Sequence, residues 1–350
     1  MNNNCITQKY DSKYDLVKFI LSILVLAIHC ALYPMVLYPW LRIAVPLFFI
    51  MSSYFVFSKL GDTHVGEHKT IVKKFVTRNL QLYACWFVIL LPITLYIRKY
   101  FSFSGTWIKS ILIILKRFVF GSTFVASWFI IATVIGFLII YFLSKLLRND
   151  FLVLLISLSA FCIVTLASSY LSAIEGTVLS YIIAKYTKIF GVLVCSYPAS
   201  LFWIFIGKMI AEQKIKFKSL RLLIFLIICS CICLFLEWKF VISLNGTYNN
   251  DSYFMLAPLC VLLFLGIQKI NSFYWKPSVC FKHASTVIYV SHGSILPIVN
   301  KAISIFLNTK NTLLSFFVTL MCCIAIYVFI EFIIKKCRLP QIKKIFKMLY

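Results

Sequence analysis

Residues 15–54 read DLVKFILSILVLAIHCALYPMVLYPWLRIAVPLFFIMSSY. Two apolar runs, parted near Pro34 and Pro39, carry four ionisable side chains: Asp15, Lys18, His29 and Arg42. A charge placed in hydrocarbon costs roughly 2.5–3.5 kcal/mol on insertion scales, so such residues mark function by default. At about 100° per residue, the eleven positions from Lys18 to His29 turn about 1100°, which leaves the two within about 20° of one face. Asp15 lies about 40° to the other side of His29. One stripe of the first helix is polar, and it must face protein or water rather than lipid.

Working outward, the whole chain shares this character. Its 350 residues are 62% hydrophobic and 13% charged, with a mean hydropathy of +0.96. Soluble domains carry about 25% charged residues, so the pattern predicts a polytopic membrane protein. The polar stretch before the first apolar run holds Asp11 and Asp15, and no small-residue cleavage site follows that run. It is expected to be a retained helix rather than a signal peptide. The thirteen cysteines lie almost wholly in apolar segments and form no CxxC. They read as small buried hydrophobes, with neither a metal nor a disulfide role.

Spans of about 20 apolar residues are expected near 15–34, 40–58, 80–97, 128–147, 151–170, 191–211, 220–239, 253–270, 285–307 and 312–334. The fold class is therefore all-α, a membrane bundle of about ten helices. A single domain over 1–350 is expected, with a polar tail at 1–13 and a basic tail at 335–350. Residues 105–121, with Lys109, Lys116 and Arg117, read as an interfacial amphipathic helix. Residues 171–190 hold Glu175, Lys185 and Lys188 and are too polar for a clear span. Laid out from an inner N-terminus, this arrangement puts 24 of the 35 Lys and Arg residues on the inner side. That asymmetry predicts cytoplasmic termini. The formal net charge of +25 then faces anionic lipid heads. Nucleic acid is not an expected partner, because the charges sit in short flanks.

The opening stretch also resembles a known family. An acidic residue, a basic residue, an apolar run and a His about three turns later precede Arg42-Ile-Ala-Val-Pro46-Leu-Phe48-Phe49-Ile-Met-Ser52-Ser53-Tyr54. This order is similar to the start of the acyltransferase-3 family, integral-membrane acyltransferases that O-acetylate surface glycans. Phe75-Val-Thr-Arg78-Asn-Leu-Gln-Leu-Tyr83 is like that family's basic run entering the third helix. Ser127-Trp128-Phe129 is like its Trp-Phe segment, Trp203-Ile-Phe-Ile-Gly207-Lys208 like its aromatic-to-Gly segment, and Tyr289-Val-Ser291-His292 like its late helix with a terminal His. Two departures stand out. Lys18 occupies a position that is usually Arg, and Ser52-Ser53 stands for a usual Ser-Gly pair. Lys serves as a point charge but not as a bidentate fork.

The resemblance implies transfer of an acyl group, in the first instance acetyl, from cytoplasmic acyl-CoA to a hydroxyl of a surface glycan or its lipid-linked precursor. It implies a bacterial plasma membrane. Acyl-CoA is then a co-substrate, with no bound cofactor and no metal. Such transfer needs a base for the hydroxyl proton and positive charge or donors for the oxyanion. His29 is the candidate base, acting directly or through an acyl-His intermediate, and Arg42, just across the hairpin, is the candidate partner for the oxyanion or the acceptor. A structural His bonded across helices and a snorkelling Arg are the plain alternatives. Lys18 and Arg78, at inner helix ends, are the candidate donor-binding residues, against ordinary flanking charge. Asp15, His292 and Trp128 form a possible second set. Glu331 is expected to pair with Lys335, four residues on. Glu237 is expected at the outer interface.

No GxSxG, P-loop or Rossmann fingerprint occurs, and no Asp-rich divalent-metal motif. That disfavours an ATPase or a metal-dependent glycosyltransferase. A transporter or flippase of a lipid-linked glycan would also use a polar stripe in such a bundle. Transporters often show inverted repeats, and the DxxK…H…R pattern has no second copy. A glycan polymerase would call for a large outer loop, for which only residues 98–127 offer length. Reporter fusions at Asn4 and Tyr350 should both read cytoplasm, and an outside signal at either would overturn the span assignment.

Overall fold

The computed structural model of the chain describes residues 11–31, 35–98, 107–120, 123–246, 250–308 and 311–350. Residues 1–10 of the expected polar tail, and Pro34 of the expected turn, lie outside them. The helices in order are α1 (Ser12–His29), α2 (Tyr38–Leu41), α3 (Ala44–Gly61), α4 (His68–Arg98), α5 (Trp107–Val119), α6 (Ser127–Leu147) and α7 (Asp150–Ser169). They continue as α8 (Val178–Phe190), α9 (Pro198–Ala211), α10 (Leu220–Asn245), α11 (Leu256–Lys269), α12 (Ser278–Leu307), α13 (Thr312–Lys336) and α14 (Pro340–Phe346). No strand occurs among the described residues, and the expected all-α polytopic bundle is what the chain forms.

Local chemistry sets the helix ends. Asn149 accepts from the backbone N–H groups of Phe151 and Leu152 at the start of α7, and Asn311 accepts from Leu314 at the start of α13. Ser219 does the same for α10. These caps satisfy N–H groups that have no partner within the helix. Asp11 accepts from Lys13 N–H at the start of α1. Burial pushes the Asp11 carboxyl up, but hydrogen bonds with Lys13 and Ser272 outweigh it and hold the group below its ordinary value.

Among the described residues, seven helices are long and apolar enough to cross a membrane: α3 with its α2 lead-in, α4, α6, α7, α10, α12 and α13. The expected spans 191–211 and 253–270 contain shorter helices, α9 and α11, of 14 residues each. At 1.5 Å per residue these reach about 21 Å. The first expected span is α1, 18 residues long and more heavily charged. The expected interfacial segment is α5, 13 residues with basic side chains in its last turn. Residues 171–190 form a short 3-10 turn and then α8, with no spanning helix. The expected basic tail does not trail free. α14 turns back so that Leu349 is buried and its carbonyl accepts from Trp86 Nε1 at 3.0 Å.

The core sits around α3 and α9, which are buried on nearly every face. A helix apolar all round belongs inside a bundle, whereas α10, apolar but mostly exposed, turns its side chains outward as a lipid-facing helix does. α3 packs on α9, α1 on α12 and α3, and α12 on α13. The approach of α3 to α9 is close enough to need glycine. A Cβ on Gly207 would meet the Ser53 side chain and come within 2.6 Å of the Ile50 carbonyl oxygen. Ser53 Oγ donates back to the carbonyls of Phe49 and Ile50 at 2.9 and 3.1 Å, so its hydroxyl is satisfied within α3. Small residues at crossings are the usual means of bringing membrane helices together.

The two ends of the bundle are named here by the ends of α1, the Lys18 end and the His29 end. At the Lys18 end, buried Lys208 on α9 bonds Asp150 at the start of α7 and Glu212, each at 2.9 Å. Lys214 bonds both carboxylates as well, and those hydrogen bonds raise its pKa. Glu331 meets His283 at 3.5 Å and accepts from Tyr350 Oη at 2.9 Å, in place of the expected pairing with Lys335. Glu237 accepts from the N–H groups of Phe254 and Met255 and from Tyr170 Oη, each at 2.7 Å. It thereby caps the start of α11 from α10.

Overpacking a tight crossing costs typically 1–3 kcal/mol. Gly207→Ala is therefore expected to lower the unfolding temperature in detergent. Gly61→Ala, where nothing lies within 4 Å of the added carbon, should leave it unchanged. Equal melting of the two variants would refute the close-approach account.

Candidate active site

The polar stripe of α1 ends at His29, the last residue of the helix. There it opens on a cavity of about 170 Å³ whose lining includes His29, Arg42, Trp128, Asp251, Tyr289 and His292. α12 brings His292 beside His29, with ring centroids 5.0 Å apart and planes at 39°. Sequence distance hid this pairing, although both histidines were candidates. His29 is exposed to the cavity, whereas His292 is fully buried in its wall.

His292 is held in a defined orientation. Its Nδ1 lies 3.0 Å from the Ile288 carbonyl oxygen one turn back on α12. A carbonyl oxygen can only accept, so Nδ1 carries the proton. In the neutral ring Nε2 then carries the lone pair. That atom is buried and has no hydrogen-bond partner. Buried polar atoms are rarely left so, and a ligand in the cavity would supply the missing group.

Arg42 follows α2 and reaches the same cavity. Its Nη1 lies 2.6 Å from Asp251 Oδ1, and its guanidinium carbon sits 4.4 Å from the Tyr38 ring centroid. Its Nε is buried without a partner. The residue is thus built into the cavity wall. Asp251 was not foreseen. It stands just before the expected span at 253, and its backbone N–H donates to Ser168 Oγ at 3.1 Å. The one sequence signal was an acid at the same end of the bundle as an unpaired Arg. Trp128, at the start of α6, lines the cavity with its ring 6.2 Å from that of Phe49.

A second cavity, of about 430 Å³, opens at the Lys18 end. Lys18, Lys59, Lys74 and Arg78 line it, and no Asp or Glu side chain does. The structure thus gathers both expected donor residues and adds Lys59 and Lys74, which looked like ordinary flanking charge. Lys18 Nζ lies 5.1 Å from the Phe55 ring centroid. Tyr350 contributes to the same wall. Asp15 does not join either cavity. It is buried against α12, where its Oδ2 accepts from Ser278 Oγ at 3.4 Å. Its place on the helical stripe was read correctly, but it serves the packing of α1 on α12.

The cavities share one residue, Tyr289. Its ring centroid lies 5.3 Å from that of Phe48, 5.1 Å from Phe129 and 6.1 Å from His292. Among the described residues no three His, Cys, Asp or Glu side chains gather as a metal site.

Residues 11–331 match the acyltransferase-3 family, described as an acyltransferase domain, and the chain belongs to that family. It is 25% identical over 295 residues to an amino-acid racemase of Enterococcus faecalis, a match covering 80% of this chain and 39% of that protein. It is 23% identical over 328 residues to a serine/alanine racemase of Enterococcus gallinarum, covering 88% of this chain and 44% of that protein. The chain therefore spans about two-fifths of the length of these relatives. No solved structure matches it.

Proposed function

We propose that this member of the acyltransferase-3 family moves an acyl group from acyl-CoA, bound in the Lys18-end cavity, to a hydroxyl acceptor in the His29-end cavity. The observation that carries the reading is the pair of cavities of opposite character meeting at Tyr289. One is ringed by four cations and suits a ligand with several phosphates. The other holds two imidazoles and an Arg–Asp pair, which suits proton transfer and hydroxyl binding. The positive-inside asymmetry favours a cytoplasmic Lys18 end, where acyl-CoA is found. Acetyl as the group, and a surface glycan or its lipid-linked precursor as the acceptor, fit the small volume of the His29-end cavity and the polar side chains His29, Arg42, Asp251 and His292 set in its largely apolar wall.

The chemistry is direct. The acceptor oxygen attacks the thioester carbonyl carbon while its proton passes to His29. The C–O bond forms, the C–S bond breaks, and the proton leaves with the coenzyme A sulfur. Arg42 N–H groups offset charge on the oxyanion. His292 Nε2 stands ready to accept a hydrogen bond beside His29. From Lys18 to His29 is eleven residues, or about 16 Å of helix, so an extended thioester arm must cover that span. A carrier for a small polar solute is the second reading, since two cavities facing opposite ends across a partition would serve it as well. Thioester cleavage separates the two.

Three measurements test the proposal. Mass analysis of surface glycans should show O-acetyl groups that depend on the gene. His29→Gln should accumulate normally yet lose transfer by about 10²-fold or more, because glutamine keeps a donor and an acceptor but is no base. Near-normal transfer by that variant would make His29 structural. On the donor side, Lys18→Met and Arg78→Met should raise the KM for acetyl-CoA more than they change kcat, the mark of binding lost equally from ground and transition states. An unchanged KM in both would return these residues to flanking charge.

A further inference from the structure

We infer that Tyr289, held between Phe48 and Phe129, is the gate through which the acyl end of the donor passes, and that it limits which acyl groups reach the histidines. This rests on the acyl-CoA reading above. Tyr289 is the single residue lining both cavities. Its ring packs edge-on to Phe48 and tilted against Phe129 on the donor side, and edge-on to His292 on the acceptor side. Tyr289 stands where the two cavities meet, so a thioester arm passing from Lys18 and Arg78 toward His29 along this line must turn the ring aside. The room for that turn lies on the donor side. Ser285 and Thr286, one turn back on α12, and Ser52 on α3 present small side chains to the basic cavity beside it. An aromatic ring with two side-chain torsions can swing into such space without moving the helix.

Two consequences follow from chemistry. The first is selectivity. An acyl group must fit the slot left when the ring swings, and one methylene in an apolar slot is worth about 10–200-fold in discrimination. The second is water exclusion. Packed against the threaded arm, the ring narrows the passage and limits the water that reaches the thioester from the basic cavity. Without the ring, water can replace the acceptor. The C–S bond then breaks, a C–O bond forms to the water oxygen, and one proton of that water ends on the coenzyme A sulfur.

Release of free thiol by the full chain in detergent or vesicles tests this, with acetyl-CoA and butyryl-CoA as donors and no acceptor added. Tyr289→Leu is expected to raise acceptor-free hydrolysis of acetyl-CoA, and to raise the ratio of butyryl-CoA to acetyl-CoA turnover by about tenfold. Tyr289→Phe keeps the ring and should hold the native ratio. If Tyr289→Leu does not accumulate, Phe129→Leu opens the same partition and should move both readings in the same direction. A purely structural role would lower all rates together and leave the ratio fixed, and that result would overturn the inference. The outcomes remain separable from the underlying reading. Thiol release that depends on His29 together with an unmoved ratio refutes the gate alone, whereas no His29-dependent release from either donor in native membranes, where the acceptor is present, refutes the acyl-CoA reading and the gate with it.

Discussion

Hydrocarbon offers no solvent for a charged side chain, so every ionisable residue in a membrane helix must find protein or a water-filled space. That constraint places α1. Its polar stripe cannot face lipid, and the helix lies on α12 and α3. Each residue of the stripe is resolved differently. Asp15 goes to Ser278, Lys18 to the mouth of the basic cavity and His29 to the edge of the second cavity beside His292. The functional geometry is thus a consequence of where one helix is allowed to put its charges.

Packing of α3 on α9 supplies the frame. Apolar association between membrane helices gains little from hydrophobicity, because lipid is as apolar as leucine, so close contact and small residues matter more. Here the small residue is Gly207 on α9, facing Ser53 on α3. Ser53 itself stands where the resemblance leads one to expect glycine, and the close approach is made possible by the glycine of the partner helix. Ser53 folds its hydroxyl onto its own backbone, which removes an unpaired donor from the crossing. This rigid pair fixes where α3 begins, and hence where Arg42 meets Asp251.

The active-site candidate is built from helix ends as much as from helix faces. His29 closes α1, Arg42 follows α2, Trp128 opens α6 and Asp251 precedes α11. End positions let polar groups reach a cavity while their helices stay apolar. Arg42, just past such an end, and His292, in the body of α12, each keep one buried atom without a partner, Nε and Nε2, at a desolvation cost that a hydrogen-bonding ligand would offset. The basic cavity works differently. Lys59, Lys74 and Arg78 are exposed and Lys18 is half-buried, and no Asp or Glu among the described residues lines the cavity with them.

Much of this was legible in the sequence, and the reasons are local. Hydropathy sets whether a segment enters a membrane, helical period sets which residues share a face, and both act on neighbours along the chain. They gave the all-α bundle, the polar stripe of α1, the short amphipathic helix α5 and the candidates His29, Arg42, Lys18 and Arg78. Tertiary structure decided what no local rule reaches. The approach of His292 to His29 crosses more than two hundred residues, and it arises because α1 must cover its stripe with α12. Asp251 became the partner of Arg42 only when the start of α11 was set by the Glu237 cap. Lys59 and Lys74 became cavity residues through the crossing of α3 with α4. Tyr289 looked like one more aromatic on an apolar helix; only the packing of α12 against α3 and α6 made it the wall that two cavities share.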